Sequence, residues 1–203
     1  MKKRADAIVF LLAMALFLAA VVVDACDGVP SMSLEDTCQK AFGTAAAADA
    51  CGAPPCIPPM HVYCVSVLQE RAPDAGEATV FAVAAAKYAK ESYESTMEAA
   101  FRALQNASLP GDERAACAAC RDTYYAQARS STVAAMNLLA ECSFGQLSGE
   151  YATAADAIKA CRDAQSKLQS PAIYGLAVSD LMVAALASGL GELASLPSSD
   201  LVN

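Results

Sequence analysis

Between Cys117 and Cys142, small and apolar side chains recur at Cys117, Cys120, Tyr124, Ala128, Ser131, Ala135, Leu138 and Cys142, in steps of 3, 4, 4, 3, 4, 3 and 4. A period of 3.6 residues puts them all on one narrow helical stripe, whereas a strand would scatter them over both faces. The stripe is rich in small residues, so a neighbouring helix can approach closely. Such a seam needs other helices to cover it.

Three further stretches supply them. From Asp74 to about Asn106, Phe81, Ala85, Tyr88, Tyr93, Met97, Phe101 and Leu104 recur mostly three or four apart, with one step of five. Lys87, Lys90, Glu91, Glu94 and Glu98 fall largely between them and read as a solvated face. Leu109-Pro110-Gly111 ends the connection, and Asp112 is placed to cap the next helix. A third stripe holds Tyr151, Ala155, Ile158, Cys161 and Leu168. A fourth helix opens at Ser170-Pro171, carries Ile173, Leu176, Val183, Leu186, Leu190 and Leu193, and ends near Pro197. That helix is apolar, but Asp180 and Glu192 favour core burial over a membrane span. Four amphipathic helices with short connections predict an all-α antiparallel bundle over 74–196, with a short tail at 197–203. No run alternates as a strand should, so essentially no sheet is expected.

Residues 26–73 differ. Gly28, Pro30, Gly43, Gly52, the Pro54-Pro55 and Pro58-Pro59 pairs and Pro73 interrupt regular structure. Within this stretch Ser33 to Cys38 can start a short helix, and Val62 to Arg71 can form another.

At the N-terminus, Lys2, Lys3 and Arg4 precede an apolar run from Ala7 to Val23, with small residues at Val23 and Ala25. This predicts a secretory signal over 1–25, cleaved after Ala25. Removing it moves the formal net charge from −8 to −9, because three basic and two acidic side chains leave. An acidic chain cannot neutralise a row of phosphates, so nucleic acid is excluded as a partner, and no membrane contact is expected once the signal is removed. Export places the nine cysteines in an oxidising compartment, where an odd number leaves one unpaired or bound to another chain. Cys117 and Cys142 lie 25 positions apart, roughly 37 Å along one helix, and cannot pair with each other. Asn106-Ala107-Ser108 is a glycosylation sequon beside a turn.

Enzyme chemistry is poorly provided for. His61 is the sole histidine of the 203 residues, in the proline-rich segment with no nucleophile elbow. Gly189-Leu190-Gly191-Glu192 lies inside a helical pattern with no preceding strand and is not a dinucleotide fingerprint. Cys117-x-x-Cys120 lacks a βαβ setting for a redox motif, and no metal or cofactor is expected.

Taken in order, these features resemble the plant invertase/pectin methylesterase inhibitor family over about residues 34–196. The resemblance rests on Thr37-Cys38-Gln39-Lys40, on Cys64-Val65-Ser66-Val67-Leu68, on Cys120 with Tyr124, on Cys161 about forty residues later, and on Ser170-Pro171. It implies an N-terminal helical hairpin clamped by Cys38–Cys64 and a bundle braced by Cys120–Cys161. Cys51 and Cys56 are then expected to close a small loop around Pro54-Pro55, and Cys26, Cys117 and Cys142 stay unassigned. The Pro-Lys-Phe segment of some invertase inhibitors has no counterpart between Cys142 and Cys161.

The implied function is a secreted, non-enzymatic inhibitor in the apoplast or, alternatively, the vacuole. Its partner would be an extracellular pectin methylesterase, with invertase as the second target. A pollen or structural bundle with no enzyme target is the alternative from another class. The outward residues expected to meet a partner are Arg121, Asp122, Gln127, Arg129 and Asn137 on the second helix, and Glu150, Lys159, Arg162 and Asp163 on the third.

Overall fold

The computed structural model describes residues 26–43, 59–168 and 171–197. The signal segment, Cys51, Cys56, Ser170 and all of the tail after Pro197 lie outside the described residues. The first bundle helix, α3, spans Ala78–Leu104. The second is built of α4 (Gly111–Ala119), a π-helical segment (Cys120–Tyr125) and α5 (Ala126–Ala140). The third, α6, is Leu147–Gln165, and the fourth, α7, is Tyr174–Ser195. Each packs against its chain neighbour and the fourth returns to the first, closing an antiparallel ring of four. Two short helices precede it, α1 (Leu34–Phe42) and α2 (Met60–Leu68).

Alanine sets how closely these helices approach. Ala78, Ala82, Ala85, Ala86, Ala89 and Ala100 of α3 are fully buried, together with Phe81 and Tyr93. The inward face therefore runs through Ala85, Ala89, Tyr93, Thr96 and Ala100. The larger Tyr88, Met97 and Leu104, placed on the core stripe by their spacing, are only partly buried, and Phe101 is exposed. Where backbones come close there is room only for small side chains, and bulkier ones are displaced to the flanks. Leu176 of α7 is likewise 42% exposed, although Ile173, Val183, Leu186, Leu190 and Leu193 are buried. By length and composition α7 could cross a membrane, yet in the fold its apolar face packs against α3 and α6.

The second helix departs from its regular stripe at Cys120. The π segment inserts one residue, so the buried series runs Cys117, Cys120, Tyr125, Ala128, Ser131 and Ala135, with a step of five in place of four. Tyr125 is fully buried, whereas Tyr124 is only half-buried. Other local expectations also shift. Ser33 caps α1 by accepting from the Asp36 N–H at 3.0 Å, as its position suggests. Asp112 lies inside the first turn of α4, and Pro110 occupies the cap position. Pro171 precedes α7 by three residues, and the helix starts without a side-chain cap.

The expectation of no sheet is corrected by one small ribbon. β1 (Ser31–Ser33) pairs antiparallel with β2 (Ala75–Glu77) in the register Met32 to Gly76. Further bonds from Leu34 N to Asp74 O (2.9 Å) and Ala78 N to Pro30 O (3.0 Å) extend it. Three residues per strand leave no alternation to read in sequence. The ribbon fixes the entry to α3, and α1 packs against α7.

Three disulfides brace the chain: Cys38–Cys64 joins α1 to α2, Cys120–Cys161 joins the π segment to α6, and Cys26–Cys142 joins the N-terminal segment to the end of α5. The first two are the pairs implied by the family resemblance. Bonds of this kind persist in an oxidising compartment. Cys142 carries φ +53°, and the Ser143 N–H reaches the Leu138 carbonyl (2.8 Å) while the Cys142 N–H reaches that of Leu139 (3.3 Å). This is the helix-ending motif that normally takes glycine in the left-handed position.

Gly189 and Gly191, on opposite faces of α7, serve packing. A Cβ at Gly189 would collide with the Phe42 ring of α1, and one at Gly191 with the buried Tyr151 ring of α6. Gly191→Ala is therefore expected to destabilise by about 1–3 kcal/mol through overpacking, outweighing a helix-propensity gain of up to about 1 kcal/mol. Gly175→Ala, where the space is open, is expected to keep that gain. Chemical denaturation of the two variants checks the opposite signs.

Candidate functional site

The residues that converge on one surface feature come from α3 and the second bundle helix. On α3, Ser92 and Thr96 face inward, and Glu94, Met97, Glu98 and Phe101 flank the second helix. In the π segment the extra residue turns Tyr125 inward and leaves Arg121 beside α3. Between the two lies an open groove of about 510 Å³ lined by Glu94, Met97, Glu98, Phe101, Arg121 and Arg129.

Its floor is apolar and its walls are charged. Phe101 is 43% exposed, and the Arg121 guanidinium sits 5.6 Å from its ring centroid. Arg121 donates through Nε (2.6 Å) and Nη2 (2.8 Å) to the two carboxylate oxygens of Asp122, which preserves its planar geometry. Arg129 Nε donates to Glu94 Oε1 at 2.6 Å, and Lys90 Nζ donates to the same carboxylate at 3.0 Å. These bonds hold the Glu94 carboxyl below its ordinary range, with Arg129 the larger cause and Lys90 the second.

A group depressed in the fold contributes stability above its unfolded value, and that contribution is lost as pH falls through the folded one. For Glu94 the loss begins below about 4.5, its ordinary value. The pair is well exposed, so it is worth only about 0.5 kcal/mol. Glu94→Gln is expected to melt slightly lower than the parent at pH near 7, with the two curves converging well below pH 4.5, as thermal melts across that range would show.

Behind the groove a buried carboxylate sets the register of three elements. Asp180 of α7 is 1% exposed. It accepts from Ser92 Oγ, from Thr96 Oγ1 at 2.7 Å and from the Tyr125 hydroxyl at 2.6 Å. Burial and then the nearby Asp180 charge push Tyr125 far above the usual tyrosine range, so its hydroxyl remains a donor. Tyr93 packs edge-on to Tyr125 at 6.0 Å between centroids. Tyr125 is thus held to α7 while Cys120, one turn earlier, is held to α6 by its disulfide. The segment that carries Arg121 is fastened on both sides.

Of the nine outward residues expected from sequence, Arg121 and Arg129 line this groove. Asp122 orients Arg121, while Gln127 and Asn137 are exposed elsewhere on the second helix. On α6, Arg162 pairs with its neighbour Asp163 at 2.6 Å, Lys159 is exposed, and Glu150 is half-buried in the first turn. Spacing alone places Phe101 and Met97 on the core stripe and Glu94 and Glu98 on a plain solvated face, whereas the fold brings all four to the groove.

Asn106 is exposed, and its Oδ1 accepts from the Ser108 N–H at 3.0 Å. His61 is half-buried on α2, away from the groove. Among the described residues, no group of three or more His, Cys, Asp or Glu side chains is placed to hold a metal ion. The groove lining combines two carboxylates, two guanidinium groups and the apolar Met97 and Phe101. No family model, no curated protein and no solved structure matches this chain.

Proposed function

We propose that the chain is an extracellular, stoichiometric inhibitor of a plant cell-wall carbohydrate-active enzyme, with pectin methylesterase as its target. The observation that carries this reading is the groove: an exposed Phe101 flanked by ion-paired charge on helices held by Asp180 and by Cys120–Cys161. A stiff, preformed surface loses little entropy on association, and Phe, Met and Arg, all present here, are enriched at protein interfaces. The family resemblance names the class of target, and the acidic charge of the chain favours approach to a basic wall enzyme.

Titration of purified protein against a pectin methylesterase and an invertase is the test. Saturation at one equivalent with the first supports the reading; saturation only with the second moves the target to invertase. Inhibition of neither at excess protein overturns it. Phe101→Ala is expected to weaken inhibition about thirtyfold or more, the scale of a hot-spot aromatic. Lys159→Ala, an exposed charge on α6, is expected to change it less than about threefold. Added salt should weaken binding, because the groove walls are charged.

A further inference from the structure

The second and third bundle helices meet at three sulfur atoms. Cys117, fully buried, is the free cysteine among the described residues, and it lies one turn before the Cys120–Cys161 disulfide. Gln165 of α6 is also fully buried, and its Nε2 donates to both Cys117 Sγ (3.7 Å) and Cys120 Sγ (3.9 Å). One amide nitrogen therefore touches both the free thiol and the disulfide.

The other end of that amide has no partner. Gln165 Oε1 is buried without a hydrogen bond, a costly state for a carbonyl oxygen. Gln165 lies four residues after Cys161, on the same face of α6, so a thiol at Cys161 would be its natural donor. Cys117 and Cys120 stand three apart on one helical face, and the π segment begins at Cys120, where the regular hydrogen-bond ladder already yields.

We propose that Cys117 and the Cys120–Cys161 bond form an internal disulfide switch, in which Cys117 displaces Cys161 and unlocks the second bundle helix from the third. The Cys117 thiolate attacks Cys120 Sγ. The Cys117–Cys120 bond forms as the Cys120–Cys161 bond breaks, and the electron pair leaves on the Cys161 sulfur. Cys161 takes up the proton that Cys117 released, so no oxidant or reductant is consumed. The Cys161 thiol then donates to Gln165 Oε1. Burial raises the Cys117 thiol above its usual range, opposed by the Gln165 N–H and reinforced by Glu113, so the locked form persists until the pair of helices opens.

Disulfide mapping tests this independently of any inhibitory activity. The intact oxidised protein is held without added thiol at about pH 8.5, where the thiolate fraction is larger than at neutral pH, then acid-quenched, alkylated in denaturant and digested with trypsin. Cleavage after Arg114 and Arg121 leaves Cys117 and Cys120 on one peptide, and cleavage after Lys159 and Arg162 isolates Cys161. The expected result is a loop-closed 115–121 peptide that grows in step with alkylated Cys161, at least about tenfold above a Cys117→Ser control. A Cys161→Ser variant, refolded oxidatively, is expected to carry the Cys117–Cys120 bond. Alkylation confined to Cys117 throughout, or two alkylated cysteines on that peptide in Cys161→Ser, would overturn the proposal.

Discussion

Asp180→Leu is expected to lower the stability of the fold by about 3–5 kcal/mol, among the largest effects of any single substitution here. The carboxylate receives the hydroxyls of Ser92, Thr96 and Tyr125 from two other elements, and Thr96 and Tyr125 are buried. Leucine fills the volume but leaves these donors without an acceptor, and each buried orphan costs about 1–3 kcal/mol, partly offset because a buried charge is also removed. Asp180→Asn is expected to cost less, about 1–2 kcal/mol. Its carbonyl can still accept from Thr96 and Tyr125, and the Ser92 hydroxyl can turn to accept from the amide. Urea denaturation of both variants gives the comparison. Equal losses would mean that packing, and not hydrogen bonding, accounts for the site. Because the same cluster holds Tyr125 and hence the segment bearing Arg121, Asp180→Leu is also expected to loosen the groove.

Removing the Cys26–Cys142 bond is expected to cost about 3–5 kcal/mol, because it closes a loop with a sequence separation of 116 residues. The replacement at position 142 should matter as well. Cys142 occupies a left-handed backbone position at φ +53°, unfavourable for a side chain and free of strain for glycine. Cys26→Ala with Cys142→Gly is therefore expected to be about 1 kcal/mol more stable than Cys26→Ala with Cys142→Ala. Thermal and chemical unfolding of the two double variants measure the difference. A glycine variant no more stable than the alanine one would show that the left-handed residue carries no strain.

Helix was legible wherever a long proline-free stretch repeated at 3.6 residues, because that period is a local property of the chain. The helical course of the second bundle helix and the inward Leu186, Leu190 and Leu193 of α7 follow from that rule. The groove was not legible, because it depends on which way each helix turns once its neighbours are present. In an alanine-rich bundle the closest approach selects Ala85, Ala89 and Ala100 for the centre, so Met97 and Phe101 come to the surface although they are the more hydrophobic. Asp180 read as a lone acid that argued against a membrane span. Only the packing of three elements made it the acceptor for Tyr125, Thr96 and Ser92.

By itself, the sequence determined the helical class, the approximate extents of the four bundle helices and the family resemblance that paired Cys38 with Cys64 and Cys120 with Cys161. The first two follow from hydrophobic period and proline placement, which act within short segments, and the pairings are what the resemblance implies. The tertiary structure alone decided the π insertion that exchanges Tyr124 for Tyr125 at the core, the short ribbon at the entry to α3, and the partner of Cys26. Their causes are non-local. A one-residue phase shift, two three-residue strands and a bond across 116 positions leave no period in the chain, and they become favourable only when the helices are already side by side.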